Sequence, residues 1–115
     1  MKNSIKITLL ALLVSLNTPA FEQINVDVPA DSPHEECFFL DTETVINYRY
    51  KSSEPLDFNL HYHDDNGMTY LVDLPKSSSS ENLVKDLINK QVYCLMWFNS
   101  TTKNAELNYE FSLEK

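Results

Sequence analysis

The chain has 115 residues, 9 of them basic and 17 acidic, for a formal net charge of −8. A surface this acidic repels phosphate backbones and anionic lipid headgroups, which argues against nucleic-acid binding and electrostatic membrane adhesion. A single glycine leaves no Gly-rich phosphate loop, while 43% hydrophobic residues are enough to build a packed core.

The first twenty residues read as a leader. Lys2 and Lys6 precede an apolar run at residues 7–16 (ITLLALLVSL), and Asn17-Thr18-Pro19-Ala20 closes it with small residues. This is the pattern of a secretory signal peptide cleaved after Ala20. A single domain, residues 21–115, is then expected in a secreted or periplasmic setting. Without Lys2 and Lys6 its seven basic residues face 17 acids, a formal charge of −10. No later stretch approaches the ~18 continuous apolar residues of a membrane-spanning helix. Two cysteines, Cys37 and Cys94, remain. An even count in an oxidising compartment suggests one disulfide. Such a bond closes a loop of about 57 residues and stabilises by about 4 kcal/mol on the loop-entropy model. Two free thiols, a redox pair or a thiolate metal site are the alternatives.

In chain order, residues 24–28 (INVDV) alternate as a short edge strand. Pro29 and Pro33 then predict a loop up to Glu36, because proline cannot donate to a sheet ladder. Residues 37–40 (CFFL) are a short apolar strand. Residues 44–51 (TVINYRYK) alternate, with Ile46, Tyr48 and Tyr50 on one face, and β-branched and aromatic enrichment favours a strand. Ser52-Ser53-Glu54-Pro55 reads as a loop. Residues 56–63 (LDFNLHYH) show the clearest period of two: Leu56, Phe58, Leu60 and Tyr62 face one way, and Asp57, Asn59, His61 and His63 the other. Asn66-Gly67 predicts a tight hairpin turn with positive φ at both positions, and residues 68–74 (MTYLVDL) form the returning strand.

Pro75 and the serines 77–80 read as a flexible loop. Residues 81–90 (ENLVKDLINK) carry a helical pattern with a capping box from Ser78 and Glu81, although a strand and turn fit nearly as well. Residues 92–98 (VYCLMWF) are apolar at odd and even positions, which predicts a strand buried on both faces, with Tyr93, Leu95 and Trp97 sharing one of them. Residues 105–113 alternate again, with Ala105, Leu107, Tyr109, Phe111 and Leu113 inward. About seven short strands, turns every eight to twelve residues and at most one short helix imply an antiparallel β-sandwich.

Glu36-Cys37-Phe38-Phe39 near the start, and Tyr93-Cys94 with Trp97-Phe98-Asn99 near the end, resemble the GOLD domain of the p24 cargo-receptor proteins. The resemblance covers most of residues 21–115. It implies a protein-binding β-sandwich in which Cys37 and Cys94 are bonded. The chain departs from the family pattern in placing Asn99 five residues after Cys94 rather than three, so a trafficking role is not carried over. Small exported bacterial proteins of GOLD-like type also look similar.

Among residues able to carry chemistry, His61 and His63 are the sharpest pair. A His-x-His on a strand sets two imidazoles on one face, ~6.5–7 Å apart. Imidazole suits Zn, Cu or Ni, and His34, Glu35, Glu36, Asp57, Asp64 or Asp65 is a further candidate ligand. Met68, across the turn, adds a soft sulfur for Cu(I). No Gly-x-Ser-x-Gly elbow is present, and the adjacent carboxylates Glu35-Glu36 and Asp64-Asp65 diverge in an extended chain, so catalysis is not expected. Asn99-Ser100-Thr101 fits a glycosylation sequon, which marks a surface loop in a eukaryotic host and is only a turn in a bacterium. The leading expectation is a small exported, non-catalytic binding module for another exported or envelope protein. The rival is a periplasmic Cu, Zn or Ni protein using His61 and His63.

Overall fold

Alternation becomes strand almost throughout residues 21–115, the part of the chain that the computed structural model describes. The expected signal peptide, residues 1–20, lies outside the described residues. Six strands follow one another: β1 (Glu22–Val28), β2 (Ser32–Leu40), β3 (Val45–Asp64), β4 (Gly67–Val84), β5 (Gln91–Asn99) and β6 (Ala105–Glu114). They make up 77% of the described residues, which contain no helix. Every pairing is antiparallel.

The strands form one strongly curled half-barrel sheet, where a sandwich of about seven strands was expected. The count falls because residues 45–64 are a single strand. Ser52-Ser53-Glu54-Pro55 is a bulge inside β3 and not a loop: the register against β4 jumps between Lys51 and Leu56. The Ser52 hydroxyl donates to the Glu54 carbonyl at 2.6 Å, and the Ser53 hydroxyl accepts the Glu106 N–H at 2.8 Å. These contacts satisfy backbone groups that a proline-containing segment leaves open. Pro75 and the serines 77–80 likewise continue β4, with the kink absorbed at Lys76, where φ is +49°.

Two further expectations change. The loop up to Glu36 is shorter than expected, because β2 already begins at Ser32. Pro33 is tolerated there because β2 ends the sheet order β1-β6-β3-β5-β2, and an edge strand needs ladder bonds on one side only. The helical pattern at residues 81–90 is not used. Val84 ends β4, and positive φ at Asp86 (+58°) and Asn89 (+62°) is incompatible with a right-handed helix. Leu87 still reaches the core, and the Tyr93 hydroxyl donates to the carbonyls of Ile88 and Asn89.

The hairpin sits where Asn66-Gly67 placed it, but only Gly67 has positive φ, at +114°. Asp65 and Asn66 form the turn between Asp64 and Gly67, which are paired. The Asp64 carboxylate accepts the Asn66 N–H at 2.8 Å. This matches a type I turn followed by a glycine bulge, in which the left-handed position falls after the turn pair.

β3 holds the sheet together. Its first part, Val45 to Ser52, pairs with β6, and its second part, Asp57 to Tyr62, pairs with β5. Because β5 and β6 are carried by successive lengths of one strand, the curl brings them face to face without hydrogen bonds between them. Trp97 of β5 fills the space: it is fully buried, 4.5 Å from the Tyr109 ring of β6 and 5.2 Å from Phe58 of β3. Tyr93 and Leu95 are also fully buried on this face. The opposite face of β5 is less covered than its apolar run suggests, since Val92 is 47% exposed. Leu113, expected inward, is partly exposed near the strand end, while Ser112 is buried.

Cys37 and Cys94 are paired directly across β2 and β5 and form a disulfide, with Cα atoms 4.1 Å apart. Replacing Cys94 by serine should lower stability by about 4 kcal/mol, since the bond spans 57 residues. Urea unfolding of parent and variant under oxidising conditions measures this, and coincident midpoints would refute it.

Candidate functional site

The register of four strands assembles the site. On the face of the sheet turned away from Trp97, Cys37 of β2 opposes Cys94 of β5, Cys94 opposes His61 of β3, and His61 opposes Tyr70 of β4. One row over, Glu35 opposes Met96, Met96 opposes Asn59, and Asn59 opposes Asp73. On the other side, Phe39 opposes Val92, and His63 opposes Met68. A register shift between Leu60 and His61, which leaves Leu71 as the extra residue on β4, brings Tyr70 onto the face of His61.

His61 lies at the centre and is fully buried, although alternation places it with the outward polar residues. The disulfide row, Tyr70 and His63 surround it. The His63 ring meets it edge-on at 5.1 Å, and the Tyr70 ring does so at 6.2 Å. Its Nδ1 lies 2.6 Å from Asn59 Oδ1, and its Nε2 lies 3.3 Å from Glu35 Oε2. With the amide oxygen facing the ring, Nδ1 is the donor and Nε2 carries the lone pair. Burial pushes the His61 pKa below its ordinary value; Glu35 opposes that shift and His63 adds to it.

The other predicted site residues are less concentrated. His63 and Met68 are exposed and face each other across the hairpin. Asp57 accepts the Lys76 N–H at 2.9 Å, and Asp64 holds the turn. The donors of Glu35, Cys37 and Cys94 lie within 4.8 Å of one another. His34 and Glu36 point to the opposite, inner side of β2. There His34 Nε2 donates to the Tyr109 hydroxyl at 2.9 Å, and that hydroxyl donates to Glu36 Oε1 at 2.8 Å. Asn99 is fully buried, and its amide donates to the carbonyls of Val28 and Lys103. The sequon asparagine therefore braces a turn and is not displayed on it.

Sequence reasoning named Glu35 only as one of six further candidate ligands, and it missed Asn59 and the exposed Phe39, Val92 and Tyr70. The i, i+2 spacing of Asn59 and His61 was visible. The pairing of β3 with β5, which brings Glu35 near His61, leaves no local trace. A second miss is a groove of about 510 Å³ on the outer side of the β6 half, crossed by the Arg49–Glu110 ion pair at 2.9 Å.

Burial raises the pKa of Tyr109 well above its ordinary value, and the neighbouring Glu36 carboxylate adds to the shift. Burial also raises Tyr48 and Tyr50. An unfolded phenol ionises near pH ~10, whereas the folded phenols stay protonated. The unfolded state therefore binds fewer protons above that point, and stability present below pH ~10 is lost as pH rises further. Tyr109→Phe should make this alkaline loss shallower in urea titrations between about pH 9 and 11.5. Parallel curves would show that Tyr109 contributes nothing to it.

No family model matches this chain, and no curated protein matches it either.

Proposed function

We propose that this protein is a small exported, non-catalytic binding module, and that its partner is another exported or envelope protein, met as an extended segment along β4. The observation that carries this reading is a set of exposed apolar side chains on one face of the sheet, two of them on a strand with a free edge. Phe39 is 66% exposed, Tyr70 50%, Val92 47% and Met68 39%, and Tyr70 and Met68 stand on β4, which pairs with β3 alone among the described residues. An exposed strand edge offers a row of unpaired N–H and C=O groups, and neighbouring side chains supply specificity. Pro75 and the kink at Lys76 interrupt the edge, which favours residues 67–74 as the receiving stretch.

The acidic charge favours a partner segment with flanking Lys or Arg. The disulfide is compatible with an oxidising, exported location. The resemblance of the Cys37 and Cys94 strands to a GOLD domain also favours protein binding, and the curl that seats Trp97 on Tyr109 supports reading the sheet as two facing halves of such a sandwich.

The rival reading is a Cu, Zn or Ni site at His61 and His63. It is supported by their rings lying 5.1 Å apart and by Met68 standing opposite His63. Affinity capture from an envelope fraction, with the purified chain as bait, separates the two. A specific protein should be retained by the parent and lost with Tyr70→Asp, while Lys51→Ser on the opposite half retains it. No specific capture, or capture indifferent to Tyr70, would reject the β4 reading. Calorimetric uptake of Cu, Ni or Zn by the oxidised chain that fails in His63→Ala would favour the rival.

A further inference from the structure

We propose that reduction of the Cys37–Cys94 bond turns the His61 face into a zinc site with Cys37, Cys94, His61 and Glu35 as its four ligands. This inference does not depend on the partner reading, and its ligand set differs from the His61, His63 and Met68 set.

Three observations converge. The donor atoms of Glu35, Cys37 and Cys94 lie within 4.8 Å of one another, from two paired strands. His61, opposite Cys94 on the next strand, is fully buried, and its Nε2 has no hydrogen-bond partner among the described residues. That nitrogen lies 3.3 Å from Glu35 Oε2. With the Nδ1 proton donated to Asn59, Nε2 carries a lone pair 3.3 Å from a carboxylate oxygen, and two acceptors this close repel. A cation between them removes the repulsion. Asn59 also does what the outer partner of a metal-bound histidine does: it fixes the tautomer and the ring orientation.

In the oxidised chain the two sulfurs are bonded to each other, and the site has no thiolates. Cys37 is exposed, so an external dithiol can reach the bond. A thiolate of that dithiol attacks the Cys37 sulfur, and Cys94 leaves as a thiolate. The second thiol of the reductant then releases Cys37 and closes the reductant's own disulfide. Two electrons and two protons pass to the pair. Zinc binding returns the thiol protons to solvent. The ladder between β2 and β5 keeps both side chains on one face after reduction. The sulfurs need only separate to about 3.8 Å, the spacing of two ligands at about 2.3 Å from a tetrahedral zinc.

The test uses Co2+ as a spectroscopic probe, with Zn2+ as competitor, on the purified chain reduced by a dithiol that is then removed anaerobically. The reduced chain should bind one Co2+, with thiolate-to-cobalt charge transfer and the strong visible bands of a tetrahedral site, and Zn2+ should displace it. The oxidised chain should give neither signal. His61→Ala should weaken binding on the order of tenfold or more, and Cys37→Ser should abolish the charge-transfer band. The double variant with His63→Ala and Met68→Ala should bind as the parent does. Far-UV circular dichroism accompanies each titration, so a reduced chain that loses its strand signal and regains it with zinc also supports the site. The proposal is overturned by a reduced chain that takes up no Co2+, by a strand signal that zinc does not restore, or by uptake unchanged in His61→Ala.

Discussion

β3 passes unbroken from Val45 to Asp64, and the rest of the molecule depends on that continuity. Its two ends present the same edge to two different strands, β6 and then β5, while β4 follows its other edge over nearly its whole length. A strand that bends at a bulge while keeping its partners must curl the sheet. The curl is what sets Trp97 against Tyr109 and encloses an aromatic core with Tyr50, Phe58 and Phe38. If Ser52 to Pro55 were a loose loop, the two halves would be free to separate, and these rings would lose the surface they bury.

The same geometry explains why a polar residue is hidden on the outer face. Where β5, β3 and β4 run side by side, the side chains of three strands crowd around His61 from both flanks. A buried imidazole needs partners for both nitrogens. Asn59 supplies one, and Glu35 stands against the other without a hydrogen bond. The inner cluster of His34, Tyr109 and Glu36 is different: there a hydroxyl both accepts and donates, so the chain of donors is complete. One histidine is therefore structurally satisfied, and the other keeps a nitrogen without a hydrogen-bond partner among the described residues, 3.3 Å from Glu35.

The disulfide and the exposed apolar residues occupy one surface for a related reason. Phe39, Cys37 and Glu35 alternate along one face of β2, and Val92, Cys94 and Met96 along the facing side of β5. The cross-link fixes that register, since a slip of one residue would send the three side chains of one strand to the face opposite their three partners. Stability, the His61 environment and the proposed partner surface are thus set by one alignment.

Much of this was legible in the residues. Period-two alternation and short apolar runs identified the strand stretches, the cysteine count suggested the disulfide, and the Asn66-Gly67 pair located the hairpin, because these signals are local. The inward row of Tyr93, Leu95 and Trp97 could be read for the same reason. The joining of two expected strands into β3, the use of residues 77–80 as strand, and the burial of His61 could not. A proline or a serine run reports what an isolated segment prefers. Whether the chain keeps its ladder through such a segment depends on partners such as Glu106 and Asp57, which lie far away in sequence. Sequence alone determined the stretches whose own pattern is extended and the face of each that is apolar. Only the tertiary structure decided which strands lie side by side, and therefore that Glu35, His61 and the two cysteines share one surface, because strand pairing is a long-range choice that local periodicity does not encode.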